Sequence, residues 1–198
     1  MMEKMMIERN KMDTKKLVLG ALLTALVVVL QLMGSFIRFG PFSISLVLIP
    51  IVIGAATCGI GIGGWLGLVF GVTVLLSGDA AAFFAVNVPG TIITVLLKGI
   101  LCGVLSGWGY QLLEKYNRYL AVVVAAVICP LVNTGVFLLG CSVFFMETIT
   151  AWAQEFGFGN DVARYAVFGL VGINFPVELA FNLVLSPVIV RLLGIRNK

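Results

Sequence analysis

The groups capable of chemistry in this 198-residue chain are few, and two of them, Lys98 and Glu178, are charges embedded in apolar runs. An ionised side chain at the centre of a membrane helix costs roughly 2.5–3.5 kcal/mol on insertion scales, so each needs a partner or a function. Thr91, Thr94 and Lys98 recur at spacings of three and four, and Asn174, Glu178 and Asn182 at spacings of four. Each set therefore lies along one helix face. Asn133, in another apolar run, can face the same space. Together these residues describe a polar pocket offering a cation, an anion and several amides to a small polar ligand. The alternative is a buried Lys98–Glu178 ion pair that lowers the cost of both charges without binding anything. Loop residues Arg38, Asp79 and Asn87, with aromatic Phe36, Phe39, Phe83 and Phe84, are candidates for a cover over that pocket; interfacial anchoring is the other reading of the aromatics.

Catalytic chemistry finds little support. The chain has no histidine, which removes Ser-His and Cys-His pairs and every His-metal arrangement. Cys58, Cys102, Cys129 and Cys141 stand singly in apolar runs without a C-x-x-C pair, so they read as small buried residues rather than as a disulfide framework or a zinc site. No G-x-x-x-x-G-K-[ST] loop is present to cradle a nucleotide phosphate. No catalytic residue, metal or cofactor is expected, and any use of ATP must belong to another subunit.

The elements that must position these groups follow from composition. Hydrophobic residues make up 61% of the chain and charged residues 11%, with a mean hydropathy of +1.13. A soluble domain has roughly half apolar and a quarter charged residues. A membrane-crossing helix needs about 20 mostly apolar residues, so the chain is expected to be an all-α integral membrane protein, a bundle of six transmembrane helices. The spans fall near 17–33, 43–57, a third continuing to 77 from a tight glycine-rich turn at 58–64, 90–113, 119–145 and 164–193. Residues 1–16 form a polar N-terminal segment, 17–193 the membrane domain and 194–198 a basic tail. The first apolar run is too long for a secretory signal and lacks a small-residue cleavage site. Between the fifth and sixth spans, Trp152, Phe156 and Phe158 lie among polar residues, as in a short interfacial helix or lid.

Orientation comes from Lys and Arg, which are retained on the cytoplasmic side. With the N-terminus inside, Lys4, Arg9, Lys11, Lys15, Lys16, Lys115, Arg118, Arg191, Arg196 and Lys198 are all cytoplasmic, against Arg38 and Arg164 outside. Both termini are thus expected in the cytoplasm. The net charge of +4 serves topology, and no nucleic-acid partner is expected. On this orientation Lys98, Asn133, Asn174 and Glu178 sit in the outer half or near the middle of the bilayer. Trp65, Trp108 and Tyr110 sit near inner helix ends, where an aromatic belt is expected. Gly63, Gly67 and Gly71, and again Gly99, Gly103 and Gly107, form stripes at spacings of four. Such small-xxx-small stripes let helices approach closely, either within the bundle or against a partner.

Ala21-Leu22-Leu23-Thr24-Ala25 forms an A-x-x-x-A motif near the inner end of the first span. Leu46-Val47-Leu48-Ile49-Pro50-Ile51-Val52-Ile53-Gly54 is followed by a glycine-rich turn and Gly67-Leu68-Val69-Phe70-Gly71. With six spans, both ends inside and no nucleotide site, the chain resembles, over about residues 15–193, the substrate-binding (S) component of an energy-coupling factor vitamin transporter. The resemblance implies a prokaryotic plasma-membrane protein that binds a small water-soluble vitamin or related micronutrient from outside. It implies release inside, driven by two ATPase subunits acting through a transmembrane scaffold subunit on which Ala21 and Ala25 would dock. Lys98 suits a carboxylate such as pantothenate or biotin, and Lys98 with Glu178 a zwitterionic or heteroaromatic vitamin; riboflavin, folate and queuosine-type precursors stay open. The rival readings are a small membrane-embedded enzyme using Lys98, Asp79 or Glu178, and a structural membrane protein with no ligand.

Overall fold

A computed structural model describes the backbone of residues 2–35, 38–39, 42–43, 45–172 and 174–196, and the side chains of 14–35, 45–172 and 174–191. Phe36 and the side chains of Arg38 and Phe39, expected above as part of a cover, lie outside the described residues. Among the described residues the regular structure is helical apart from one short ladder. In order it forms α1 (Met2–Gly34), the antiparallel pair β1 (Arg38–Phe39) and β2 (Phe42–Ser43), α2 (Leu48–Cys58), α3 (Ile60–Ser77) and α4 (Ala81–Phe84). Then follow α5 (Val88–Glu114), α6 (Arg118–Phe144), α7 (Met146–Glu155), α8 (Val162–Tyr165), a π-helical stretch Ala166–Val171, and α9 (Asn174–Arg196).

Local chemistry accounts for the helix boundaries. Asn87 caps α5 by accepting the Gly90 N–H at 2.9 Å, with Pro89 in the first turn, where its missing N–H costs nothing. Asn117 caps α6 in the same way through the Leu120 N–H at 3.1 Å. α3 ends on Gly78, whose φ of 83° is the left-handed geometry that glycine adopts without penalty.

Among the described residues four helices are long and apolar enough to cross a membrane: Thr14–Gly34 of α1, α3, α5 and α6. A fifth exists if Val162–Val171 and Asn174–Arg191 count as one span bent by 48°. The sequence predicts a continuous helix over 164–193; the break has a local cause. Pro176 offers no N–H, and its ring would collide with the carbonyl four residues back, on Gly172. Gly172 itself has φ 48°, so the chain turns there and restarts. The second predicted span, 43–57, is also shorter as a helix: α2 begins at Leu48 after the β1–β2 hairpin, and its 11 residues reach only about 16 Å.

The bundle is held by contact between α3 and α5. A Cβ added at Gly67 would strike the Gly99 carbonyl, one at Gly99 would strike that of Gly67, and one at Gly103 that of Gly63. Both glycine stripes therefore pack against each other inside the bundle, at a backbone separation that only small residues permit. A core of Val27, Leu48, Ile51, Leu66, Phe70 and Val122, each fully enclosed, lies alongside. A second cluster, around Phe83, Cys141, Phe145, Ile149 and Tyr165, joins α7 and α8 to the bundle. The outward faces remain apolar, as at Leu76, Leu139 and Val143. Helices apolar all round suit a hydrocarbon surround. Trp65 and Trp108 face outward, but Tyr110 corrects the expectation of an aromatic belt. Its ring is buried and its hydroxyl donates to Glu114 Oε1 at 3.1 Å, so it serves the interior.

Replacing Gly67 or Gly103 by Val is expected to force α3 and α5 apart and to cost about 1–3 kcal/mol or more through overpacking, read as a lower thermal midpoint of the detergent-solubilised protein. Gly61→Ala, where an added methyl meets nothing within 4 Å, should leave the midpoint unchanged. Equal midpoints for all three variants would contradict the assigned contact.

Candidate functional site

The helix contacts leave a cavity of about 100 Å³, walled by α1, the end of α3, α5, α6 and the bent segment leading into α9. Lys98 enters from α5. It neighbours Gly99, whose side of the helix is held against α3, and its ammonium lies 5.4 Å from the Phe70 ring centre of α3 and 5.6 Å from that of Phe137 of α6. Both distances are within cation–π range. Glu178 enters from α9, and its Oε1 accepts the backbone N–H of Ser45 at 2.9 Å. Asp79 follows the α3 terminus; its Oδ2 accepts from Gln31 Nε2 of α1 at 2.7 Å and from the Ser77 hydroxyl at 3.3 Å. Asn133 of α6 and Asn174, the first residue of α9, complete the polar wall, and the side-chain oxygen of each is buried without a hydrogen-bond partner among the described residues. Phe83, Phe137 and Phe175 supply the apolar wall.

Six of the residues singled out in the sequence are thus brought together: Asp79, Phe83, Lys98, Asn133, Asn174 and Glu178. Among the described residues no ion pair joins Lys98 to Glu178; the ammonium meets aromatic rings and the carboxylate meets a backbone N–H. Two opposite charges therefore face one cavity while each keeps capacity for another partner.

Other predicted residues stand apart from the cavity wall. Thr94, one turn before Lys98, is buried against Gly140, where an added Cβ would collide with its hydroxyl. Asn87 is engaged as the α5 cap. Arg38 lies on β1, its backbone paired with Ser43. Asn182 continues the α9 stripe, but its amide donates to the Glu178 carbonyl at 2.8 Å. Ala21 and Ala25 are exposed on α1, away from the cavity.

Sequence reasoning passed over Gln31, Ser45, Thr134 and Phe137, all of which line the cavity. Gln31 carried a legible signal. It continues the buried α1 face of Leu23 and Val27 at helical spacing, and a lone amide on such a face calls for a polar neighbour. Ser45 contributes a backbone N–H, which no residue-type pattern reveals.

The arrangement is suited to holding a ligand by charge, amide and ring contacts. Asn87→Ala is expected to lower stability by about 1 kcal/mol through loss of the cap, with Asn87→Ser close to the parent, as read by thermal unfolding. An unaltered midpoint for Asn87→Ala would show that its side chain does not hold the helix start.

A family model described as the ECF transporter substrate-specific component matches residues 15–190. Neither curated proteins nor solved structures give a match. The matched region covers the candidate spans of the described residues to within one residue at each end, and the whole cavity wall. The chain belongs to the ECF transporter substrate-specific component family, and so is a multi-pass membrane protein that acts as the substrate-binding subunit of a transporter rather than as an enzyme.

Proposed function

We propose that this subunit captures a small water-soluble vitamin or related micronutrient from outside a prokaryotic cell, in the cavity bounded by Asp79, Lys98, Asn133, Asn174 and Glu178. It hands the molecule inward when joined to a transmembrane scaffold subunit carrying two ATPases. The observation that carries this reading is the convergence on one cavity, from α5, α6, α9 and the turn after α3, of a cation, two carboxylates and two amides whose oxygens have no partner among the described residues. Polar groups in hydrocarbon are costly unless satisfied, and a polar ligand would satisfy them.

A topology of six crossings is consistent with that role. The four long helices, the bent pair and the segment ending in α2 make an even number, so both termini share a side. Ten basic residues cluster toward that side against two on the other, which marks it as cytoplasmic. The cavity then belongs to the outer half. Ser45 lies two residues beyond β2 and is bonded to Glu178, which keeps the exit of the hairpin at the cavity; the hairpin carrying Arg38 is the proposed cover.

Docking would use the opposite region of α1. Ala21 and Ala25 flank Thr24, whose hydroxyl donates to the Gly20 carbonyl at 2.8 Å and accepts the Trp65 indole N–H at 3.2 Å. The polar atom between the two alanines is thereby satisfied internally, leaving a small flat face for a partner helix.

Native mass spectrometry of the purified protein is expected to show one small molecule per chain. Lys98→Ala and Glu178→Ala should each weaken its binding by about 30-fold or more, the cost of stripping one partner from a desolvated charged contact. Undiminished occupancy in both variants would remove these residues from the site. Substituting both Ala21 and Ala25 by Leu should abolish ATP-driven uptake in vesicles containing the complete complex while leaving ligand affinity within about twofold, since the cavity is untouched. Normal uptake by that variant would remove the docking role.

A further inference from the structure

The polar groups of the cavity differ in whether they already have partners, and this difference bears on what the cavity accepts. Glu178 is engaged by Ser45, and Asp79 by Gln31 and Ser77. Asn182, the second amide of the α9 stripe, donates to its own helix, while its Oδ1 has no partner among the described residues. Asn133 and Asn174 are 5% and 9% exposed, line the cavity, and their side chains make no hydrogen bond among the described residues. Buried amides so placed are costly until something pairs with them.

A primary amide presents an acceptor and donors side by side in one plane. Its complement is an edge with the reverse order: an N–H beside a carbonyl or ring nitrogen. Asn reads adenine through such a bidentate contact. The neighbouring wall is aromatic, with Phe83, Phe137 and Phe175 on the cavity, and ring faces favour flat partners.

We infer that the occupant is a flat heterocycle with a lactam or amidine edge, read by the Asn133 and Asn174 amides, and not an acyclic carboxylate. This rests on the proposed capture role and narrows it. Lys98 then serves as a donor to a ring acceptor rather than as a counter-ion for a carboxylate. Discrimination follows from the buried amides, because sites built around hydrogen bonds reject analogues that leave them unpaired.

The test is calorimetric titration of the full-length detergent-solubilised protein with riboflavin, 6-hydroxymethylpterin, 4-amino-5-hydroxymethyl-2-methylpyrimidine and pantothenate. Each ring compound is paired with an analogue methylated on the nitrogen of the proposed edge. At least one ring compound is expected to bind, with its methylated analogue weaker by about tenfold or more. Asn133→Ala or Asn174→Ala should narrow that gap, which a general loss of folding would not do, and the comparison on the unsubstituted protein needs no variant. Binding of pantothenate alone, or equal binding of parent and methylated rings, would overturn the inference while leaving the capture role intact. Failure of every probe would also overturn it; the capture role is then judged separately, by whether a molecule held by the purified protein is lost in Lys98→Ala and Glu178→Ala.

Discussion

Close approach of α3 and α5 is the constraint on which the site depends. Gly67 and Gly99 meet backbone to backbone, and this contact sets the depth and rotation of the helix that carries Lys98. With Gly99 turned to α3, the adjacent lysine is carried round to the cavity, where its ammonium rests between Phe70 of α3 and Phe137 of α6. The far end of α3 simultaneously delivers Asp79. Lipid tails compete well with large apolar side chains, so van der Waals fit between small residues is what a membrane bundle uses to fix helix positions. A methyl group at this seam would displace the charged wall as well as loosen the bundle.

Most buried hydroxyls elsewhere in the interior find partners, although Thr94 Oγ1, Arg118 Nε and Asn182 Oδ1, like the cavity amides, have none among the described residues. Thr57, Thr73, Ser106 and Ser186 all donate to carbonyls of their own helices. The unpaired oxygens of Asn133 and Asn174 lie where α6 and the restart of α9 face one another. That restart is a consequence of Pro176 and Gly172: the break removes helical hydrogen bonding at the place where Asn174 opens a new helix. Irregular backbone at membrane depth is tolerated where it lines a cavity, and here it positions the first residue of the α9 polar stripe.

Much of this was legible in residue spacing. The glycine stripes, the Asn174–Glu178 stripe and the isolated Lys98 announce which faces turn inward, because in an apolar helix any small or charged residue at period four needs a reason. What spacing could not convey was three-dimensional closure. The hydrogen bond from Ser45 to Glu178 spans 133 positions and uses a backbone donor. Asn87 looked like a cover residue because it is polar and lies between spans, yet its place directly before a proline-containing first turn is a capping signature. The short α2 was hidden for a different reason: a uniformly apolar run looks the same whether helical or extended, and periodicity alone does not distinguish the two. α1 links two regions of proposed function, with Gln31 bonded to Asp79 at the cavity and the Ala21–Ala25 face presented outward about two turns or more along the same helix.

In the proposed capture role, substrate sits in the cavity between α5, α6 and α9. The most direct measurement is an experimentally determined structure of the ligand-loaded protein. Ligand density is expected within hydrogen-bonding reach of Lys98, Asn133, Asn174 and Glu178, against the Phe137 ring. Density at any other position on the protein, with this cavity holding only solvent, would contradict it.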